Sequence, residues 1–255
     1  MTISASGDAV LICLLSSLRI VAWLTVAPPF SYRAIPVIVK VGLSVGLALA
    51  VTPLQAGATL PSTGLQLGLA ALSEVLVGLG MGFVTSLIFS AVAAAGGLVD
   101  VFGGFALAQA YDPISMRMNT VFGQFHQLLA FMLLFATGGH LVVVGGLLTS
   151  FETLPLGASP DIENATDVLV TAFKVFWVTA VQIAAPLIAV LFVADIGLAL
   201  LTKIAPQLNA LSVMFPAKIG LTLLLFGLSL PVLSSAVTRL VEFSVQATAE
   251  LVGAG

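Results

Sequence analysis

Charged residues are scarce in this chain. Asp, Glu, Lys and Arg make up 7% of its 255 residues, whereas hydrophobic residues make up 60%. An ordinary soluble domain has about 25% charged residues, so this chain cannot form a water-facing surface of the usual chemistry. The shortage excludes a soluble enzyme, a nucleic-acid-binding domain and a disordered chain, and the net charge of −3 excludes a polybasic surface. We therefore predict an all-α membrane protein that crosses the bilayer several times.

Cysteine and histidine are also rare, which limits metal and covalent chemistry. Cys13 is the single cysteine, so no disulfide can form within the chain and no cysteine cluster can hold a metal. His126 and His140 lie fourteen residues apart in one long predicted helix, without a comparable set of ligands around them. His140 follows Gly138-Gly139, so we expect it to bond locally at a helix break. No Ser/His/Asp set and no readable pair of carboxylates indicates catalysis. We expect neither a metal site nor a catalytic site.

Long apolar runs are abundant, and a membrane-spanning helix needs about 20 mostly apolar residues. Six segments meet that requirement: Ala9–Ala27, Ile35–Leu54, Leu67–Ala95, Phe122–Leu148, Val168–Ala194 and Val213–Val237. Asp8 stands where a signal peptide would carry positive charge, so we expect the first segment to be retained. Pro186 predicts a kink or break in the fifth segment. The tail, residues 238–255, is amphipathic from Arg239 to Val252 and could form a further, partly immersed helix.

Basic residues favour one side of these segments. Five of them fall in or beside the first, third and fifth connections: Arg33, Lys40, Arg117, Lys203 and Lys218. The fourth connection instead collects acidic residues. The positive-inside rule then predicts that both termini lie outside the cytoplasm.

One internal repeat links the second and sixth segments. Lys40-Val-Gly-Leu-Ser continues as an apolar run to Pro53, and Lys218-Ile-Gly-Leu-Thr continues in the same way to Pro231. The lysine and the proline are thirteen residues apart in both copies. Chance recurrence in an apolar sequence explains the match equally well. Since repeats of this kind occur in transporters and elsewhere, the repeat alone does not decide function.

Charges inside apolar segments are costly and therefore informative. Arg19, at the centre of a predicted helix, costs about 2.5–3.5 kcal/mol on insertion scales, so it needs a carboxylate, water or carbonyl groups. Glu74, Asp100 and Asp195 are the candidate counter-charges, and no spacing selects among them. An ion pathway, as in a small secondary transporter that uses Arg19, Glu74 and Asp195, is one interpretation. A structural pair that docks helices or subunits is favoured, because the chain has so few charges.

Glycine is dense in and after the third segment. Gly78-Leu-Gly-Met-Gly82 lies within an apolar helix, so it predicts close helix packing rather than a phosphate-binding loop. Gly96-Gly97 and Gly103-Gly104 recur around Asp100 and suggest a broken or tightly packed helix end.

A polar island, Gln109–Thr120, separates two long apolar runs. It contains an Asp-Pro turn, and two methionines flank Arg117. Such a loop could be a re-entrant element that lines or blocks a cavity, because methionine makes adaptable apolar contacts. An ordinary cytoplasmic turn is an equal alternative.

Several motifs together resemble the FliR family, subunits of the flagellar type III export gate whose injectisome counterpart is the SctT family. The most specific are Pro206-Gln-Leu-Asn209 and Phe215-Pro-Ala-Lys-Ile-Gly220. Other matching features extend the resemblance over roughly residues 10 to 240: Arg19 with Pro28 and Pro36, Glu74, Gly96 to Asp112-Pro113, Gly138-Gly-His140, Ser150-Phe151 and Pro155.

The resemblance implies a non-enzymatic subunit that binds no cofactor and no nucleic acid. One copy would join several copies of FliP and FliQ in a helical ring, with FlhB and FlhA as further partners. Unfolded export substrates would pass through the pore of this ring in the bacterial inner membrane, at the flagellar basal body. The implied fold is a single integral membrane domain over residues 1–255. It would be built from helical hairpins like a fusion of a FliP-like and a FliQ-like unit, and would be lifted largely above the bilayer plane.

The resemblance also implies a plug loop inside the pore. By its position along the chain, this loop corresponds to residues 109–122. Its residues would be Pro113, Ile114, Met116, Arg117, Met118 and Phe122, with the apolar ones forming the seal. Four polar residues would lie near the cytoplasmic entrance or at an intersubunit contact: Lys203, Gln207, Asn209 and Lys218. Arg19, Glu74, Asp100 and Asp195 would be buried charges that serve assembly.

Overall fold

The computed structural model describes residues 7–57, 60–105, 120–158, 162–204 and 210–253. Among them, seven α-helices and their turns occur and no strand does, which confirms the predicted all-α architecture. The helices are α1 (Gly7–Val26), α2 (Val37–Val51), α3 (Gly64–Phe102), α4 (Val121–Ala136), α5 (Gly139–Thr153), α6 (Ile162–Ile204) and α7 (Ala210–Leu251). A short 3-10 turn, Thr52–Gln55, follows α2 directly.

The fourth apolar segment is two helices rather than the single predicted one. α4 and α5 are bent by 77° at their junction. Gly138 causes the break, because it adopts a φ of +73°, a left-handed conformation that ends a helix and suits glycine. His126 therefore lies in α4 and His140 in α5, so the prediction that one helix carries both histidines was wrong.

Three helices are much longer than a bilayer requires. α3, α6 and α7 contain 39, 43 and 42 residues. At 1.5 Å per residue, each would extend about 60 Å, roughly twice the hydrocarbon thickness of a membrane. α6 continues past Pro186, so the proline does not break the helix, and a kink there stays a prediction. The tail is likewise not a separate helix, because α7 runs without interruption to Leu251.

The chain divides into two compact units. The first comprises Met1–Ile88, Gly138–Lys174 and Leu240–Gly255. The second comprises Phe89–Thr137 and Val175–Arg239. α3, α6 and α7 contribute residues to both units, so the division falls within long helices.

Close packing of α1 against α3 forms the centre of the first unit. A Cβ atom on Gly78 would overlap the carbonyl oxygen of Arg19, and one on Gly82 would lie 3.1 Å from the carbonyl oxygen of Trp23. The two backbones can approach this closely only because α3 carries no side chain at those positions. The predicted packing role of the glycine run is confirmed. The largest fully buried apolar side chains of the first unit are Ile20, Trp23, Leu24, Met81, Ile88, Leu147, Phe151 and Leu240.

The second unit is organised around the end of α3 and the start of α4. A Cβ on Gly96 would overlap the backbone of Phe122, and one on Gly103 would lie 2.9 Å from the Thr222 hydroxyl. Just after α3 ends, Gly104 adopts a φ of +83°. The second glycine cluster therefore marks a tightly packed helix end, as predicted. Buried apolar residues of the second unit include Val92, Ala95, Val99, Phe122, Leu134, Leu191 and Leu233.

Much of the apolar surface has no cover within the chain. In the described part of the chain, five helices are long and apolar enough to cross a membrane, and the bent pair α4–α5 would make a sixth. In the most apolar 18-residue stretch of α3, 56% is buried within the structure. The corresponding share is 22% in α2 with its 3-10 turn and 22% in α6. The uncovered faces must therefore meet lipid or other proteins.

The packing of α1 on α3 predicts that alanine lowers the stability of the protein at Gly78 but has little effect at the nearby Gly80. We expect Gly78→Ala to destabilise the protein by about 1–3 kcal/mol, because the added methyl group meets rigid backbone. Gly80→Ala is the matched control, since its Cβ would lie 3.6 Å from Leu251, an ordinary contact. Thermal unfolding in detergent and the amount of protein in membranes measure both effects. Equal behaviour of the two variants would contradict this account of the packing.

Candidate functional site

Arg19 is completely sealed at the middle of α1, and its partner is Glu74. The guanidinium Nε donates to Oε2 of Glu74 at 2.6 Å, and the two side chains are 0% and 1% exposed. Of the three carboxylates that the sequence offers, the structure pairs this one with the arginine. The cost of burying the positive charge is thus offset by an equally buried negative one.

The rest of the guanidinium binds the end of α5. Nη1 donates to the carbonyl oxygen and to Oγ of Ser150 at 3.2 and 3.3 Å, and Nη2 donates to the carbonyl oxygen of Leu154 at 3.0 Å. The Phe151 ring lies under the guanidinium, with its centroid 4.2 Å from Cζ. Because the last carbonyls of a helix lack partners within it, the arginine caps α5 as well as pairing with Glu74.

Gln55, which sequence reasoning missed, completes this arrangement from the 3-10 turn. Its Nε2 donates to the carbonyl oxygen of Phe151 at 2.6 Å, and its Oε1 accepts the N–H of Leu156 at 3.2 Å. A single glutamine forms no periodic pattern from which its role could be predicted. The one sequence feature that indicates it is its position as a polar residue at the end of an apolar run. We call these residues the Arg19 cluster: Arg19, Gln55, Glu74, Ser150, Phe151, Leu154 and Leu156.

The Arg19 cluster favours a structural role over ion transport. Its charges face each other and carbonyl groups, and both ionised side chains are sealed from solvent. A site that loads and releases an ion needs an accessible charged group. This cluster instead joins α1, α3, α5 and the 3-10 turn.

Among the described residues, Asp100 pairs with no basic side chain, and its carboxylate caps α4. Its carboxylate accepts the N–H of Phe122 at 3.0 Å and that of Gly123 at 3.4 Å, and the residue is 1% exposed. The first N–H groups of a helix have no partner within it and carry partial positive charge, so a carboxylate there is stabilising. Asp100 therefore fixes the start of α4 against the last turn of α3.

Phe122, the last residue of the expected plug, lies in the first turn of α4 and is buried. Its ring centroid is 5.0 Å from those of Phe105 and Phe226. The His126 ring contacts Phe226, and its Nδ1 lies 2.8 Å from the Phe122 carbonyl oxygen. The other five expected plug residues lie outside the described residues: Pro113, Ile114, Met116, Arg117 and Met118.

Asp195 and Lys218 form a second ion pair, between α6 and α7. Lys218 Nζ lies 2.8 Å from Oδ1 and 3.0 Å from Oδ2 of Asp195. The pair is more open than the Arg19 cluster, since the lysine and aspartate side chains are 12% and 36% exposed. Lys203 is exposed in the last turn of α6, where a positive charge complements the helix dipole. Gln207 and Asn209 lie outside the described residues.

No group of three or more His, Cys, Asp or Glu side chains that could hold a metal ion occurs in the described part of the chain. The chemistry of the candidate site is therefore that of buried ion pairs and helix caps.

Comparison with known proteins gives a consistent set of relatives. The family model described as "Bacterial export proteins, family 1" matches residues 10–244. A "Flagellar biosynthetic protein FliR" of Pectobacterium carotovorum subsp. carotovorum is 33% identical over 84% of this chain and 82% of its own length. The protein of the same name in Escherichia coli is 30% identical over 85% of this chain and 83% of its own length. "Yop proteins translocation protein T" of Yersinia pestis is 30% identical over 60% of this chain and 59% of its own.

The Arg19 cluster predicts strong coupling between its two charges. We expect Arg19→Met to destabilise the protein by about 3–5 kcal/mol, because it leaves Glu74 buried and unpaired. Adding Glu74→Met should restore part of this loss, since no uncompensated charge remains. Denaturant unfolding of the four proteins of the double-mutant cycle measures the coupling. Glu74→Gln is the milder control, because its side-chain oxygen still accepts the Nε hydrogen. Additive effects of the two Met substitutions would contradict the pairing.

Proposed function

Because the chain belongs to the family of bacterial export proteins, family 1, we propose that it is a structural, non-enzymatic subunit of a flagellar type III protein export gate. The family match covers most of the chain, and two relatives with at least 30% identity carry a flagellar name. The relative from Yersinia matches a shorter stretch, and its name refers to the translocation of Yop proteins rather than to a flagellum. The higher coverage favours the flagellar assignment.

The uncovered apolar surface is the observation that carries the proposal. Only 22% of the most apolar window of α6 is buried within the chain, although α6 is 43 residues long. A helix of that length exceeds what a bilayer alone would cover. Its face also carries the partly exposed carboxylate of Asp195, which is unfavourable against hydrocarbon. Neighbouring protein subunits would cover both features.

The neighbours in this proposal are FliP and FliQ, with FlhA and FlhB as further partners. One copy of the chain joins several copies of FliP and FliQ in the bacterial inner membrane, and unfolded export substrates pass through their common pore. Support comes from the family match and from the apolar faces that remain open for subunit contacts.

A small secondary transporter, the alternative from the sequence, has less support in the geometry. Arg19 and Glu74 are sealed against each other, and Asp195 is bonded to Lys218. None of the three residues is thus an unpaired charge that would bind a transported ion.

Isolation of the intact assembly tests the proposed function. We expect the chain, tagged at its C-terminus and expressed with its native neighbours, to purify in mild detergent as one copy with several copies of two small membrane proteins. The apolar faces of α2 and α6 are the physical reason, because they need cover. Native mass spectrometry measures the stoichiometry. The same chain expressed alone should aggregate. A stable monomer or homodimer, or solute flux from the purified chain in liposomes, would overturn the proposal.

The proposed plug predicts an ion leak. Deleting residues 113–119 should let ions through the assembled gate, because it removes every apolar residue of the proposed seal except Phe122. Phe122 stays in place in this variant, so Asp100 keeps its contacts at the start of α4. A potential-sensitive dye measures the leak in cells. Met116→Leu with Met118→Leu is the matched control, because it keeps an apolar seal and should not leak. Unchanged conductance in an assembled deletion variant would refute the plug.

A further inference from the structure

Lys40 is a buried basic residue without a partner. It lies in the first turn of α2 and is 8% exposed. In the part of the chain that the structure describes, no oxygen accepts a hydrogen bond from its ammonium group. The ammonium still reaches the surface, because the only sealed, unpaired side-chain polar atom among the described residues is Oγ of Ser16. Lys40 is therefore covered along its aliphatic stem and open at its charged end.

The repeat seen in the sequence extends to the pattern of burial. In α2 the buried residues are Lys40, Ser44, Ala48 and Val51. At the same spacing α7 has the half-buried Lys218 and the buried Thr222, Phe226 and Ser229. A chance match of residue types would not make the same positions after each lysine buried in both helices. The two lysines thus begin the same spacing of buried positions in their helices.

The two lysines differ in one respect, which is the acidic partner. Asp195 precedes Lys218 by twenty-three residues on the neighbouring helix, whereas the residue that precedes Lys40 by the same distance is Ser17. The single acid of α1 is Asp8, which lines a cavity together with Leu49 and Thr52 at the opposite end of α2. Glu74 is already bonded to Arg19. The first copy of the repeat thus has Lys40 at the position of Lys218, but it has no carboxylate at the position of Asp195.

The edge of α2 beside Lys40 is also uncovered. Leu43 and Leu47 follow Lys40 by three and seven residues, so they lie on the same side of the helix. Leu43 is 41% exposed, and only 22% of the most apolar window of this region is buried. A helix that covered this edge would also enclose the ammonium in an apolar interface. A buried lysine needs a carboxylate there, because an unpaired charge in such an interface is strongly destabilising.

We propose that Lys40 forms an intersubunit ion pair with an Asp or Glu on a membrane-embedded helix of a neighbouring subunit. That helix packs along the Lys40–Leu43–Leu47 edge of α2. The pair is the counterpart of Lys218–Asp195, with the acid supplied by another chain. The inference rests on the proposed function, which provides the neighbouring subunit.

Zero-length cross-linking of the assembled complex tests the contact. An apolar carbodiimide adds to a buried carboxyl group to form an O-acylisourea. A lysine amine in direct contact attacks its carbonyl carbon and loses a proton, which forms the amide and releases the carbodiimide as its urea. We expect mass spectrometry to find Lys40 joined to an acidic residue of another subunit. The Lys218–Asp195 link within the chain is the internal positive control. If that control forms while Lys40 stays unlinked or links only within its own chain, the proposal is overturned.

Charge variants of Lys40 test whether the contact matters for assembly. We expect Lys40→Glu to lower the yield of co-purified partner at least about tenfold, because two acids would then meet in an apolar interface. Lys40→Arg should stay within about twofold of the wild type, since it keeps the charge. A lysine in place of the cross-linked acid should restore assembly to Lys40→Glu, which a general folding defect would not allow. Arg33→Glu is the matched control, because Arg33 is exposed in the same connection.

The outcomes separate this inference from the proposed function. If the wild-type chain recruits no partner at all, the proposed function fails. If the wild type assembles and Lys40→Glu assembles equally well, only the Lys40 pair fails. Loss of bound anionic lipid from Lys40→Glu, with partner yield unchanged, would likewise overturn the pair and assign Lys40 to a phosphate headgroup instead.

Discussion

One buried guanidinium determines the arrangement of the first unit. Arg19 must satisfy its donors without water, and it does so through Glu74 and the last carbonyls of α5. Glu74 and Gly78 lie four residues apart on one face of α3, so the helix that brings the carboxylate also brings the glycine against the carbonyl oxygen of Arg19. The charge pair requires a close approach of α1 and α3, and the glycine makes that approach possible. The Arg19–Glu74 ion pair therefore depends on the absence of a side chain at Gly78.

The second unit uses the same combination further along α3. Gly96 and Asp100 are again four residues apart, and both contact the start of α4. Gly96 lets the backbone of Phe122 approach, while Asp100 accepts the N–H of that residue. In both units a glycine provides the space and a carboxylate four residues away provides the polar bond. Within a membrane protein, where lipid competes equally for apolar surface, such polar bonds and close contacts distinguish one helix arrangement from another.

The helices could be predicted from the sequence, whereas their partners could not. The sequence indicates a helical membrane protein for two reasons. Charged residues are scarce, and several apolar runs are long enough as helices to span the thickness of a bilayer. A local helix break was expected at Gly138-Gly139, but the fourth segment was still predicted as one span, because the division depends on a single φ value rather than on a loss of apolar character. The partners of Arg19 lie 55, 131 and 135 residues away along the chain, so no local spacing reveals them. Gln55 escaped notice for the same reason.

The polar residues, rather than the apolar ones, distinguish a lipid-facing surface from a protein-facing one. Exposed leucine and valine are equally compatible with both, since lipid tails are as apolar as a partner helix. An exposed carboxylate such as Asp195 and an unsatisfied ammonium such as Lys40 are unfavourable against hydrocarbon, so their helix faces require water or protein. Both residues belong to helices that are mostly uncovered within the chain. Two kinds of charged residue can therefore be distinguished. Arg19 and Glu74 are sealed against each other and hold α1, α3 and α5 together. Asp195 and Lys40 are left partly open, and we propose that their helix faces meet neighbouring subunits.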